Sequence, residues 1–242
     1  MPFTASHTAL VLPFVKRSIF SASGLIIGSM IPDFEFFLRM ESHGPYMHSW
    51  LGILYLNIPL AVAFLMMYHN WVRNPMIMAL PHYFEKRFSV FLTFDWNEYV
   101  KRNGFKIVYS IVFGNLTHLF WDAFTHFDGF FVERMPFFEE MYWGIPLYHI
   151  LQYVCSALGA IFILAFIAKM PLISIDKKWS SVQKVGYWTI VGTCSAIVLL
   201  IRFWPLNHIE FDHFIVCSIM AFMIGLFVSS LLFRYLFYSV KQ

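Results

Sequence analysis

Charged side chains are scarce in this chain. Asp, Glu, Lys and Arg make up 13% of its 242 residues, whereas hydrophobic residues make up 59% and the mean hydropathy is +0.64. A soluble domain carries about 25% charged residues. A deficit of this size over this length excludes a large soluble core and indicates an integral membrane protein. Aromatic residues reach 20%, a content that suits lipid-facing surfaces and interfacial belts.

Cysteines are also rare, and the motif of a nucleophilic serine is missing. The three cysteines, Cys155, Cys194 and Cys217, stand within apolar runs, which favours small buried side chains over a disulfide framework. No Gly-x-Ser-x-Gly sequence is present, so serine-based acyl transfer is not indicated. The formal net charge is only +3, and the basic residues lie where membrane topology would place them. We therefore expect no nucleic-acid partner.

Long apolar runs predict an all-α fold, a polytopic membrane helical bundle. A spanning helix needs about 20 residues, and four runs satisfy this: Trp50–Tyr68, Leu147–Ala168, Gly186–Trp204 and Phe214–Tyr238. A fifth run, Ile107–Phe124, is interrupted by polar residues toward its end. The shorter Ile19–Ile31 run is expected to form a re-entrant or interfacial helix that pairs with a helix around Ala5–Val15. The prediction is about five spanning helices plus this N-terminal hairpin.

The basic residues of the connections predict an orientation. Residues 70–106 contain six Lys or Arg and residues 169–185 contain four, whereas residues 127–146 contain only Arg134 against four acidic residues. Connections rich in Lys and Arg stay in the cytoplasm. We therefore expect the first two connections and the C-terminus to be cytoplasmic, and the 127–146 connection to face outward.

Three candidate metal ligands stand at four-residue intervals at the outer end of the fifth run. His118, Asp122 and His126 would lie along one helical face, so their side chains can converge. Imidazole nitrogen and carboxylate oxygen are ligands that zinc accepts. Ionisable groups at membrane depth are costly, and they are retained mainly where they pair, bind ions or react. The alternative is an ordinary polar helix end whose histidines bond headgroups or backbone.

Four more candidate ligands fall on the same predicted face of the membrane: His7, Asp33, His48 and His149. Each has an ordinary alternative, because Pro32-Asp33 is a common turn pair and a histidine beside a span can be an interfacial anchor. The placement of all seven near one depth favours a metal site.

No internal repeat or linker marks a second domain. We expect one membrane domain over 1–242, with a ligand-carrying hairpin (1–49), metal-site helices (50–168) and a C-terminal helix pair (169–242).

Several segments together resemble a bacterial membrane family known as domain of unknown function 4184. They are Met1–Ala9, Gly28–Phe37, His48-Ser49, Ile58–Leu60 and His118-x-x-x-Asp122-x-x-Thr125-His126. The resemblance covers nearly the whole chain and is most specific in the first 150 residues. That family in turn looks distantly similar to membrane-bound metal-dependent hydrolases, and through them to zinc-dependent phospholipase C and the P1-type nucleases. It implies a location in the bacterial cytoplasmic membrane.

The resemblance also implies a ligand order, which this chain follows with two departures. His7, Asp33, His48, His118, Asp122, His126 and His149 occur in the order of the soluble relatives' ligands. Where those relatives carry Glu four residues after the last His, this chain has Tyr153, with Gln152 beside it. Nothing replaces their N-terminal ligand either. One or two divalent ions, with zinc the expected metal, therefore fit better than a three-metal cluster.

The expected function is hydrolysis of a phosphate ester in a phospholipid or another lipid-linked phosphate at the outer face. Asp33 and Asp122 are the candidate catalytic residues, as ligands or, for Asp33, as the base that orients water. Arg39 and Arg134 are candidates for binding phosphate oxygens. A structural metal site that only joins helices stays open as an alternative. A metal-ion transporter is disfavoured because the cytoplasmic halves of the spans are almost entirely apolar. The oligomeric state is left open.

Overall fold

The structure, a computed structural model, describes residues 3–173, 179–204 and 210–238. It is mainly helical, with only two short strands in the described part of the chain, so the predicted all-α class is confirmed. Lys177, Lys178 and Lys241, which contributed to the predicted orientation, lie outside the described residues.

Short helices fill the N-terminal part and long helices follow. The α-helices are α1 (Thr8–Val11), α2 (Ala22–Gly28), α3 (Phe34–Arg39), α4 (Trp50–Ala79), α5 (His82–Phe88), α6 (Trp96–Thr125), α7 (Leu147–Ala168), α8 (Ser181–Phe203) and α9 (Phe211–Tyr238). Short 3₁₀ segments occur at Thr4–His7, Leu12–Phe14, Ile31–Asp33, Ser89–Phe91 and Pro136–Glu139. Two short strands, β1 (Met141–Tyr142) and β2 (Ile145–Pro146), pair antiparallel between α6 and α7.

Four helices in the described part of the chain are long and apolar enough to cross a bilayer: α4, α7, α8 and α9. They support an integral membrane protein. The fifth predicted span lies within α6, whose 30 residues begin with a charged stretch and carry polar residues again toward the end. Because α6 does not reach the apolar content of the other four, a fifth span stays a prediction.

The predicted end of the first span, Tyr68, is wrong because α4 continues to Ala79. Two π-helical segments widen α4 shortly before Pro59 and Pro75: Ile53–Asn57 and Tyr68–Val72. A proline ring in a regular α-helix would clash with the carbonyl four residues earlier, and a widened turn relieves that clash. The helix ends where Leu80 adopts an extended backbone (ψ 152°) ahead of Pro81.

The chain forms two compact units. The first consists of Met1–Glu35, Pro45–Val62 and Tyr99–Lys169, and the second of Phe36–Gly44, Ala63–Glu98 and Met170–Gln242. In the second unit, α8 packs along α9 around a core that includes Tyr187, whose hydroxyl lies 2.8 Å from the Ser230 hydroxyl. Every candidate site residue except Arg39 belongs to the first unit.

Glycines on facing surfaces bring α2 and α6 into close contact in the first unit. Gly24 and Gly28 lie one turn apart on α2, and a Cβ at Gly28 would collide with the Ile111 carbonyl. A Cβ at Gly114 would lie 2.6 Å from the Leu25 carbonyl oxygen. Small residues at this spacing let helix backbones approach closely in membranes. The contact places Ser29, the residue that follows α2, against α6.

We expect Gly28→Ala to destabilise the protein, because the added methyl group forces two backbones apart. Overpacking of this kind costs about 1–3 kcal/mol. The matched control is Gly104→Ala on α6, where a Cβ meets nothing within 4 Å. Thermal unfolding of both variants in detergent, followed by loss of the monodisperse species, measures the difference. Equal midpoints for the two variants would contradict the close packing of α2 on α6.

Candidate metal centre

Four side chains of the first unit converge on one place: Asp33, His48, His118 and Asp122. One ligand atom from each lies within 4.8 Å of the others. Asp33 ends a 3₁₀ turn and His48 lies just before α4, while His118 and Asp122 are one turn apart on α6. Two imidazoles and two carboxylates form a donor set that divalent transition metals accept. The sequence-based prediction of a metal site is confirmed to this extent, because these four residues could bind a metal ion.

The separations of the ligand atoms fit a small cation. Nε2 of His118 lies 3.0 Å from Asp122 Oδ2 and 3.5 Å from Asp33 Oδ1. Nε2 of His48 lies 3.6 Å from Asp122 Oδ2 and 3.5 Å from Asp33 Oδ1. Ligands that surround a tetrahedral zinc ion at about 2.1 Å are themselves roughly 3.4 Å apart. The four side chains thus already stand near the spacing that such an ion requires.

The His118 ring is oriented by the backbone. Its Nδ1 lies 2.8 Å from the Ser29 carbonyl oxygen, which can only accept, so Nδ1 carries the proton. Nε2 consequently points toward Asp33 and Asp122, yet it has no hydrogen-bond partner among the described residues. A metal-binding histidine commonly donates its other ring N–H to a carbonyl or carboxylate. The arrangement therefore suits Nε2 as a ligand.

Other buried polar atoms around this point also have no hydrogen-bond partner in the described part of the chain. They include Oδ2 of Asp33 and Oδ1 of Asp122. Buried carboxylate oxygens are costly unless they are paired or neutralised. A cation between the two carboxylates would satisfy that need, so the residues present fit a bound metal ion.

His7 and His126 border the four-residue cluster without joining the mutually close set. The His7 ring stacks on His118 with centroids 3.9 Å apart, and its Nε2 lies 3.5 Å from Asp122 Oδ1. Nδ1 of His126 lies 3.2 Å from the same oxygen, while its Nε2 lies 3.1 Å from the Gln152 amide nitrogen. Both imidazoles therefore contact Asp122, and their roles as ligands stay predictions.

On α7 the residue that reaches this group is Gln152, which sequence analysis did not select. His149 instead stacks on Tyr153, with ring centroids 4.9 Å apart. Tyr153, at the position where the resemblance led us to expect Glu, has an exposed side chain. Gln152 is buried and polar within an apolar run, which is the signal that could have identified it. The role of His149 as a ligand stays a prediction.

The two candidate phosphate-binding arginines have other contacts. The Arg134 guanidinium lies 3.9 Å from the Phe130 ring centre and 3.5 Å from a Glu133 carboxylate oxygen. Arg39, in the second unit, lies 3.0 Å from Glu41. Their proposed contact with substrate stays a prediction.

Burial and neighbouring charges set the protonation of the site. Burial, with His118 adding to it, lowers the pKa of His7 to about 4, so His7 is neutral near pH 7. Burial alone would lower the pKa of His48, but Asp122 and Asp33 raise it to about 9. Burial alone would raise the pKa of Asp33, but the neighbouring imidazoles hold it well below its usual range. The ionised Asp33 favours cation binding.

The cluster is buried on one side and accessible to solvent on the other. The side chains of His118 and Asp33 are 0% and 2% exposed, whereas that of His48 is 27% exposed. His126 is as exposed as His48. An accessible side leaves room for water or substrate at the metal, which distinguishes catalytic sites from saturated structural ones.

Buried polar side chains, those of Glu35 and Asn57, hold the loop that carries His48. Oε2 of Glu35 accepts hydrogen bonds from the backbone N–H groups of Tyr46 (3.0 Å) and Met47 (2.7 Å). The Asn57 amide, in the first π segment of α4, donates to the Met47 carbonyl (2.8 Å) and to Asn115 Oδ1 (2.6 Å). The two asparagines were given no role from the sequence, although each interrupts an apolar run.

We expect Glu35→Gln to weaken zinc binding about tenfold, as loss of outer support around metal ligands typically does. The amide forms weaker bonds to Tyr46 and Met47 than the carboxylate, so His48 is held less firmly. The control is Glu41→Gln, an exposed site. Competitive titration against a chromophoric chelator measures the affinity, with the unfolding midpoint in chelator recorded alongside. Unchanged affinity would contradict the positioning role of Glu35.

We expect Asp122→Asn to lose bound metal, because Asp122 contacts His118 and His48 at the centre of the cluster. Elemental analysis of detergent-purified protein should give one or two equivalents of divalent metal for the natural sequence and little for the variant. The matched control is Asp128→Asn, an exposed aspartate outside the cluster. Equal metal content in both variants would contradict the site described here.

The comparisons with known proteins identify the family and no individual relative. No curated protein and no solved structure matches the chain. A family model described as a domain of unknown function (DUF4184) matches residues 1–235. This match extends over nearly all of the 242 residues and includes every residue of the cluster. The chain therefore belongs to the DUF4184 family.

Proposed function

We propose that this protein is a membrane-embedded, metal-dependent hydrolase that cleaves a phosphate ester of a phospholipid or another lipid-linked phosphate. The observation that carries the proposal is the convergence of Asp33, His48, His118 and Asp122 at ligand spacing, with one side accessible. We expect one or two divalent ions, with zinc the best match to the mixed imidazole and carboxylate set. The same donors occur in metal sites that hydrolyse phosphate esters.

A bound divalent ion would lower the pKa of a coordinated water from about 15.7 toward 7, and its positive charge would stabilise phosphoryl oxygens. His48, His118 and Asp122 would hold it. Asp33 Oδ2, which has no hydrogen-bond partner among the described residues, is the candidate base for the proton of the attacking water. In the reaction, the water oxygen bonds to phosphorus, the ester P–O bond breaks and the leaving alcohol takes up a proton. His7 and His126 would keep Asp122 in position through their contacts with it.

The membrane setting supports a lipid substrate. The cluster draws on residues at the start of α4 and near the end of α6, and α4 is apolar enough to span a bilayer. A substrate that stays in the bilayer can reach such a site by lateral diffusion. The distribution of basic residues supports an outward-facing site and a cytoplasmic C-terminus in a bacterial cytoplasmic membrane.

A structural metal is the main competing interpretation. A site that only joins helices is saturated by protein ligands and closed to solvent. The partial exposure of His48 and His126 favours the hydrolase. A metal-ion transporter is the other alternative. On α6 the polar groups of the site are concentrated near one end of the helix, from Asn115 onward, and this does not favour an ion pathway across the membrane.

The test is phosphate release from phosphatidic acid and from a polyprenyl phosphate by zinc-loaded protein in phosphatidylglycerol–phosphatidylethanolamine vesicles. We expect Asp33→Asn to reduce the rate about 100-fold or more, as loss of a general base does. Asp128→Asn should keep the rate. If Asp33→Asn retains full turnover, the proposed base is wrong. Stoichiometric zinc without hydrolysis of either monoester, or of the phosphodiester lipids of the vesicles, would favour the structural site.

A further inference from the structure

We propose that an apolar groove beside α7 holds a hydrocarbon chain of the lipid whose phosphate lies at the metal centre. The inference rests on the proposed function and specifies the part of the substrate that does not react. The groove belongs wholly to the first unit and has a volume of about 520 Å³. It is shallow and open along one side.

The walls of the groove are almost entirely apolar. Leu10 contributes from α1 and Trp121 from α6, while Leu158, Phe162 and Ala165 contribute from α7. No charged side chain lines it. Because α7 is one of the helices apolar enough to span a bilayer, we infer that the open side of the groove faces lipid chains.

One end of the groove meets the metal centre through a single side chain. Trp121 precedes Asp122 in the sequence, and its ring lies 5.6 Å from the His7 ring, centre to centre. His7 in turn contacts Asp122, with 3.5 Å between Nε2 and Oδ1. A molecule that occupies the groove therefore has one end close to the cluster.

The direction and length of the groove match one leaflet. Gln152, which contacts His126, marks the level of the metal centre on α7. At 1.5 Å per residue, Leu158 lies about 9 Å and Ala165 about 20 Å further along the helix. Measured from the level of the headgroups, one leaflet is about half of the 40–45 Å of a bilayer with its headgroups, roughly 20–22 Å. A lipid with its phosphate at the cluster could thus lay one chain along the groove.

The N-terminal turn fixes one wall of the groove. A Cβ at Gly159 would lie 2.8 Å from the Ser6 Cβ, so the absent side chain lets Thr4–His7 rest on α7. The Ser6 hydroxyl donates to the Ser156 carbonyl at 2.7 Å, which ties the same turn to the helix. This contact also places His7, so the groove wall and the edge of the metal centre belong to one segment.

The groove contributes position rather than affinity. A chain that moves from bilayer to groove exchanges one apolar environment for another, so little hydrophobic free energy is gained. Binding of the chain in the groove instead helps to hold the phosphate of the same lipid at the cluster. A direct test must therefore locate the chain and should not depend on a dissociation constant.

The experiment uses phosphatidic acid with a diazirine at the end of one acyl chain, in vesicles that contain the full chain. We expect photo-crosslinks at Leu10 and along the groove face of α7. Ala165→Trp fills the groove and should reduce these crosslinks about tenfold, given how strongly small volume changes discriminate in apolar pockets. The control, Ala157→Trp, alters an exposed alanine of α7 that does not line the groove. Crosslinks spread evenly over exposed α7 residues such as Leu164, or unaffected by Ala165→Trp, would overturn the proposal.

A second pair of measurements separates this inference from the proposed hydrolysis. Crosslinks to the groove in both the natural protein and Asp122→Asn, without lipid hydrolysis, would uphold the groove and overturn the hydrolase. Hydrolysis of long-chain phosphatidic acid at an undiminished rate by Ala165→Trp would uphold the hydrolase and overturn the groove. If both proposals hold, Ala165→Trp slows that lipid but leaves turnover of p-nitrophenyl phosphate, which has no chain, unchanged.

Discussion

The candidate metal centre depends on one fully buried imidazole, that of His118, which is held from two sides. The Ser29 carbonyl fixes the Nδ1 proton of His118, and two carboxylates converge on its Nε2. Ser29 can reach His118 only because Gly28 lets α2 lie against α6. A packing constraint between two helix backbones therefore determines the tautomer of a ligand, and the tautomer determines where a cation can bind.

Helical periodicity was sufficient to predict the half of the site that α6 provides. His118 and Asp122 lie one turn apart, and the shared predicted depth correctly grouped Asp33 and His48 with them. The sequence did not indicate that Gln152 is the residue of α7 that contacts the cluster. Because α7 is apolar almost all round, its sequence does not specify its rotation about its axis. Packing of Ser6 on Gly159 fixes that rotation.

Hydropathy predicted that the spanning helices exist but not where they end. The end of α4 was missed because the apolar run in the sequence stops at Tyr68. The helix continues through the polar residues that follow, and the π segment carries it past Pro75. The α2–α6 contact was missed for a related reason. Gly24 and Gly28 show the spacing of a close helix pair, but the partner helix is about 80 residues away, and sequence spacing carries no information about such a partner.

The charge of the cluster connects the number of bound ions to the class of phosphate ester it suits. Asp33 and Asp122 together offset one divalent cation, so a one-ion centre is close to neutral. In a low-dielectric setting an uncompensated charge is costly. A phosphodiester brings one negative charge to that centre, whereas a phosphomonoester brings nearly two. Under the proposed hydrolysis, a one-ion centre therefore favours phosphodiesters, and monoesters such as phosphatidic acid and a polyprenyl phosphate call for the second ion. Metal stoichiometry and substrate preference should be determined together.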